Sequence, residues 1–149
     1  MKIIRDVGEG IDLERVLAKP LVAHLATVEK DLPRDSPVWF LWENEKLWII
    51  GTAADSFPGR ILNNPNCAVG IADFHSATGQ FIHIGFRGRA EVKQFDQSLA
   101  EKLIARYLGP NAETWDLRFQ HLDDSNVLLC FTPETVVVRD QSYRLPSAP

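Results

Sequence analysis

Signatures of metal binding and of membrane insertion are both missing from this chain. It has two cysteines, Cys67 and Cys130, far apart and each inside an apolar run, with no CxxC pair. They are expected to be buried thiols in a reducing compartment. The four histidines, His24, His75, His83 and His121, include no i,i+4 pair and no HExxH, so no metal site is expected. No apolar run approaches the ~18 residues of a membrane span. Asp6 and Glu9 interrupt the N-terminal segment where a signal peptide needs an unbroken apolar stretch, which leads to the expectation of a cytoplasmic protein with no membrane partner. A basic excess is absent too: 16 Lys and Arg against 20 Asp and Glu give a net charge of −4, the wrong balance for a nucleic-acid partner. There is no GxSxG elbow, no GxxxxGK loop and no GxGxxG turn, which removes the usual support for hydrolase, P-loop and Rossmann chemistry.

What is present is an ordinary globular balance. The chain has 149 residues, 45% hydrophobic and 24% charged, with no repeat and no linker, so a single domain over residues 1–149 is expected. Its apolar patterning is mostly of strand type. Residues 22–28 read as a strand followed by a turn at Glu29 to Arg34. SPVWFLW (36–42) and KLWIIGT (46–52) read as a hairpin around Glu43, Asn44 and Glu45. Residues 67–73 follow as a strand, and 81–92 alternate most cleanly, with Ile82, Ile84, Phe86, Ala90 and Val92 on one face and His83, Arg87, Arg89 and Glu91 on the other. Two more strands, 126–131 and 135–140, are separated by a turn at Thr132 to Glu134.

Helices are predicted over 11–19, over 54–65 with Asp55 or Ser56 as cap, and over 97–107 between Asp96 and Gly109. A further one fits 112–122. On the helix after Asp96, the periodicity places Arg106 on the solvated face. Six or seven strands and a few helices without regular alternation define a mainly β protein, an antiparallel barrel with appended helices. The hairpin strand is apolar on both faces, Val38, Phe40 and Trp42 against Trp39 and Leu41. It therefore needs a second cover besides the core, either another subunit or a flat apolar ligand.

One segment carries candidate chemistry. In LWIIGTAADSFPGRILNNP a strand runs into a turn and a helix, and Thr52, Ser56 and Arg60 together could cradle a phosphate. The other reading makes Ser56 a cap, Thr52 a strand end and Arg60 a solvated cation.

LATVEKDLPRDSPVWFLWENEKLWIIGTAADS, then NNPNCAVGI, then FIHIGFRGRAEV, resembles the pyridoxamine 5′-phosphate oxidase-like, FMN-binding split β-barrel family over roughly residues 12–108. The resemblance implies a homodimer with two FMN molecules at the subunit interface. It maps flavin contacts onto the strand backbone around Val38, Trp39 and Phe40, onto Gly51 and Thr52, and onto Ser56 in the turn. His83 stands where members often place a polar residue reaching the flavin, or else is a solvent-facing strand histidine. Members commonly carry Lys or Arg within two residues of the serine. Here those positions are Phe57 and Pro58, which leaves Arg60 as the nearest cation for the phosphate. The Trp- and Arg-rich C-terminal segment of true pyridoxamine phosphate oxidases is not visible in TVVVRDQSYRLPSAP, so that reaction is not the expected one.

The resulting expectation is an FMN-dependent oxidoreductase in which the flavin carries the redox chemistry and no side chain is assigned as catalytic. Its small-molecule substrate and electron donor are left unnamed. The alternative is a flavin-, deazaflavin- or haem-binding barrel without turnover of its own. Arg87 and Arg89 read as a solvated charge pattern, or as a second candidate for the phosphate. Trp115 and Arg118 either reach the flavin from the partner subunit or are simply core and interface mass, and neither is selected as a site residue.

Overall fold

The computed structural model describes residues 1–7 and 10–147. Its frame is a single sheet of eight strands: β1 (Lys2–Val7), β2 (Ala23–Glu29), β3 (Leu32–Val38), β4 (Leu41–Glu43), β5 (Lys46–Gly51), β6 (Asn66–His75), β7 (Gln80–Gln94) and β8 (Val127–Asp140). The order is β3-β2-β6-β7-β8-β5-β4 with antiparallel neighbours, and β1 adds to β8 in parallel. Among the described residues four α-helices decorate it: α1 (Leu13–Leu17), α2 (Phe57–Asn63), α3 (Gln97–Leu108) and α4 (Leu117–Gln120).

Two tight turns set the early strands. Lys30 and Asp31 both take left-handed φ (49° and 63°), as do Asn44 and Glu45 (53° and 55°), the geometry that lets two residues join antiparallel strands. The turn expected over Glu29 to Arg34 therefore shrinks to its first residues, and Leu32 to Val38 extend as β3. Pro33 and Pro37 are tolerated there because β3 is an edge of the sheet.

The predicted strand 36–42 breaks at Trp39 and Phe40, and its two parts lie on opposite edges, β3 at one end of the order and β4 at the other. From Val38 to Leu41 the chain spans three Cα–Cα steps, at most ~11 Å. The sheet must curl until its two edges nearly meet there, and this is the split of a split barrel. Inside the curl lie the fully buried rings of Phe40, Phe86 and Phe131 with Leu25, Leu47, Ile49, Ile71 and Ile84.

The alternation of β7 is as predicted: Ile82, Ile84, Phe86 and Ala90 are buried, while Arg87, Arg89 and Glu91 are exposed. α3 is capped by Asp96, whose carboxylate accepts from the Leu99 amide at 3.1 Å, and Gly109 ends it at φ 91°.

Two further predictions need correction, and one strand was unexpected. Residues 126–131 and 135–140 form one strand, β8. Instead of a turn, Thr132 and Pro133 stay paired with Arg89 and Gly88 and the register slips at Glu134, a bulge opposite Arg87 and Gly88, and a Cβ on Gly88 would meet the Thr132 carbonyl oxygen at 2.2 Å. The N-terminal β1 was not anticipated. The helix predicted over 112–122 is divided into a single 3-10 turn (Ala112–Thr114) and α4. Trp115, buried between them, donates its Nε1 to the Gly109 carbonyl at 2.9 Å.

Candidate functional site

The break between β3 and β4 leaves main-chain groups outside the ladder, and α3 supplies their partners. The Phe40 amide donates to the Tyr107 hydroxyl at 3.0 Å, and that hydroxyl donates to the Leu21 carbonyl at 2.7 Å. Arg106 donates to the carbonyls of Phe40, Leu17 (2.9 Å) and Lys19 (2.8 Å), and its guanidinium lies over the Phe40 ring. This corrects the solvated position predicted for Arg106. Burial pulls its pKa down and pushes that of Tyr107 up.

Beside this clamp lies a cavity of about 330 Å³. Pro37, Val38 and Trp39 enter it from the end of β3, and Ile50, Thr52, Asp55 and Phe57 from the end of β5 and the turn into α2. Leu103 and Ile104 come from α3, and Arg118, Phe119 and Leu122 from α4 and its exit. Trp39 stacks on Tyr107 (centroids 4.4 Å apart) and on Phe119 (5.3 Å). The second apolar face of the hairpin segment is thus covered at Trp39 by rings of this same chain.

Of the eight residues selected from sequence, Val38, Trp39 and Thr52 meet at this cavity. Phe40 is fully buried in the core, with its amide and carbonyl engaged by Tyr107 and Arg106. Gly51 ends β5 pressed against the first turn of α2, where a Cβ would lie 2.8 Å from the Pro58 ring and 3.1 Å from Val127. Ser56 occupies the N-cap position of α2 without a side-chain capping bond.

Thr52, Ser56 and Arg60 do not converge on one point. Asp55 accepts from both the Thr52 amide (2.8 Å) and its hydroxyl (2.9 Å). Arg60 turns instead to Thr27, donating Nε to Oγ1 at 2.7 Å, and reaches Ser36 at 3.4 Å. The sequence offers Asp55 only as a possible cap and Arg118 only as a contact from a partner subunit, and it gives no expectation for Phe119 and Leu122. The lone aromatic Phe119 between polar neighbours was the available signal for this lining.

His83 lies elsewhere, on the outer face of β7, at a second cavity with Arg5, Arg87 and Arg139. Burial and the charge of Arg139 hold its pKa below the ordinary value. His24 contacts Asp35 at 3.0 Å, and His75 lies 3.0 Å from Asp73. Among the described residues, no group of three His, Cys, Asp or Glu side chains could hold a metal ion, and no helix is long and apolar enough to cross a membrane.

A mainly antiparallel sheet curled to a split, with a ring-lined cavity at the gap, defines the split-barrel class. The chain belongs to the pyridoxamine 5′-phosphate oxidase family, whose model matches residues 12–140. Among solved structures, it is similar over 97% of both chains to a conserved hypothetical protein from Mycobacterium tuberculosis, at 13% identity and a TM-score of 0.76. An F420 Reductase is 28% identical, with a TM-score of 0.65, over 87% of this chain and 98% of that one. A FAD-binding protein from Mesorhizobium loti is 18% identical, with a TM-score of 0.62, over 87% and 92%. No curated protein matches the sequence significantly.

Proposed function

We propose that the protein is an FMN-dependent oxidoreductase of this family that holds the flavin ring in the cavity at the barrel split. The observation that carries this reading is the meeting of Val38, Trp39 and Thr52 at one cavity walled by Ile50, Leu103, Ile104 and Phe119. Flat aromatic and aliphatic walls with few polar groups suit a planar ring, and about 330 Å³ falls at the small end of the ~300–1,000 Å³ usual for such sites. In this arrangement the ring lies in the cavity and the ribityl phosphate tail leaves across the rim.

When bound, the flavin supplies hydride chemistry. The apolar residues of β3, β5 and α3 exclude water from one side of it. Trp39 is held in place by its contacts with Tyr107 and Phe119, and Arg118 brings a positive charge to the rim.

The reading includes a homodimer, in which a second copy closes over the rim and the exposed tail. Leu117, next to the rim residue Arg118, is 72% exposed and would be covered in this way. It also includes a cytoplasmic location. A second reading, a deazaflavin in the same cavity, is favoured by the 28% identity to the F420 Reductase.

The absorption spectrum of the purified protein, taken after separate incubation with FMN and with a deazaflavin and removal of free ligand, tests the reading. A retained flavin spectrum is expected with FMN; a retained deazaflavin spectrum alone supports the second reading, and a Soret band or no visible absorption contradicts both. Sedimentation equilibrium at micromolar protein is expected to return twice 16.8 kDa.

A further inference from the structure

We propose that the outer face of the sheet carries a binding site for a phosphate group, formed by Arg5 on β1, Arg87 on β7 and Arg139 on β8 above the backbone of Gly70 and Gly85. Strand register brings these residues together. Gly70, Gly85, Val137 and Arg5 lie in one row across β6, β7, β8 and β1. Arg87 and His83 flank Gly85 two residues away on the same face of β7, and Arg139 is the cross-strand partner of His83.

With strands ~4.8 Å apart and ~6.8 Å between alternate residues of one strand, the three arginine Cα atoms lie within about 10 Å of Gly85. That is within reach of an extended arginine side chain. All three, with His83, line a single cavity.

The charges there are uncompensated. Among the described residues, none of these three guanidinium groups forms an ion pair, although Lys19, Arg34, Lys93, Lys102 and Arg118 all do. The surplus is local, because the chain as a whole carries −4. Three like charges around one hollow repel each other until an anion enters. The planar fork of arginine donates in pairs to phosphate oxygens, which favours this group over a singly charged anion. The floor is open above Gly70, where a Cβ would meet nothing within 4 Å, and over Gly85 it is bordered by the His83 imidazole, 3.4 Å from where a Cβ would stand.

This cavity and the one at the barrel split share no lining residue, so the inference stands whether or not a flavin ring binds at the split. The phosphate has two possible sources. It belongs either to the flavin tail of a second copy or to a separate phosphorylated ligand.

The test is a titration with inorganic phosphate at constant ionic strength, balanced with chloride, followed by the amide resonances of Gly70 and Gly85 and by the imidazole resonances of His83. The charged groups facing His83 are Arg139 on β8, Arg87 on its own strand and Arg5 on β1. Its β6 neighbours Ala72 and Gly70 carry no charge. Saturable shifts are expected, with His83 titrating at higher pH once phosphate is bound. Arg87→Gln and Arg139→Gln should each weaken binding at least tenfold, whereas Arg15→Gln, at an exposed position of α1, should not. Gly70→Val should fill the floor and abolish binding while leaving the melting temperature at or above that of the wild type, which separates loss of the site from loss of the fold.

A repeat with FMN-saturated protein distinguishes the sources. Competition assigns the groove to the flavin phosphate, and unaltered phosphate binding assigns it to a second ligand. Shifts that chloride reproduces, or arginine variants that bind phosphate like the wild type, overturn the proposal.

Discussion

The indole of Trp39 lies flat against the phenol of Tyr107, ring centroids 4.4 Å apart and planes 4° from parallel. The same phenol ties Leu21 to Phe40 through its hydroxyl. One residue of α3 thus positions a wall of the candidate site and satisfies main-chain groups that the broken strand leaves unpaired. Tyr107→Phe keeps the stack and removes the hydroxyl. Leaving a half-buried amide and carbonyl without partners should cost about 1–3 kcal/mol in urea unfolding, with the slope unchanged. A loss below ~0.5 kcal/mol would show that water replaces the hydroxyl at no cost.

Arg106 serves three carbonyls from two separate segments, Leu17, Lys19 and Phe40. Arg106→Met preserves much of the packing over Phe40 but none of these bonds, and should destabilise by about 2–3 kcal/mol. Arg106→Lys should restore less than half of that, because an ammonium cannot reproduce the spread of the guanidinium fork. Chemical denaturation of both variants checks this, and full rescue by lysine would reduce the role of Arg106 to charge alone.

At the bulge of β8, Gly88→Ala places a methyl group where the Thr132 carbonyl oxygen already lies, 2.2 Å away. The two strands must separate locally, at about 1–3 kcal/mol, the usual cost of overpacking. Thermal melts compared with Gly70→Ala, where nothing lies within 4 Å, provide the control.

These positions also show how far the sequence could be read. The alternation of β7 was legible because one face is buried and the other is wet, so period two is written into residue type. The ends of α3 were legible because Asp96 and Gly109 act locally, through a carboxylate on an amide and a left-handed φ. Pro133 misled because a proline between Thr and Glu reads as a turn, and only the neighbouring strand, with a glycine opposite, reveals a bulge. The cover of Trp39 and the burial of Arg106 escape the sequence for a related reason. What covers them comes from the other side of the fold, tens of residues away, and periodicity along one element cannot report it. Within the site, Val38, Trp39 and Thr52 were found together, whereas the turn of Arg60 onto Thr27 depends on the packing of α2 against β2.

Stability should depend on pH through His83. Its folded-state pKa is depressed, first by burial and then by Arg139, so below pH ~6.5 the unfolded chain takes up this proton more readily than the folded one. The contribution is complete above pH ~6.5 and is lost as pH falls through the lower, folded value. Unfolding free energies from pH 7.5 to 5 should decline less steeply in His83→Gln than in the wild type. Parallel curves would place His83 in an unperturbed environment.

A planar cofactor held against Trp39 is tested most directly by the affinity of the protein for FMN, read by quenching of flavin fluorescence, in wild type and Trp39→Ala. Saturable binding by the wild type and at least tenfold weaker binding by the variant are expected, equivalent to about 1.4 kcal/mol or more, with near-native circular dichroism in both. Equal affinity for FMN in the two proteins, or no saturable binding of FMN by the wild type, would contradict this placement.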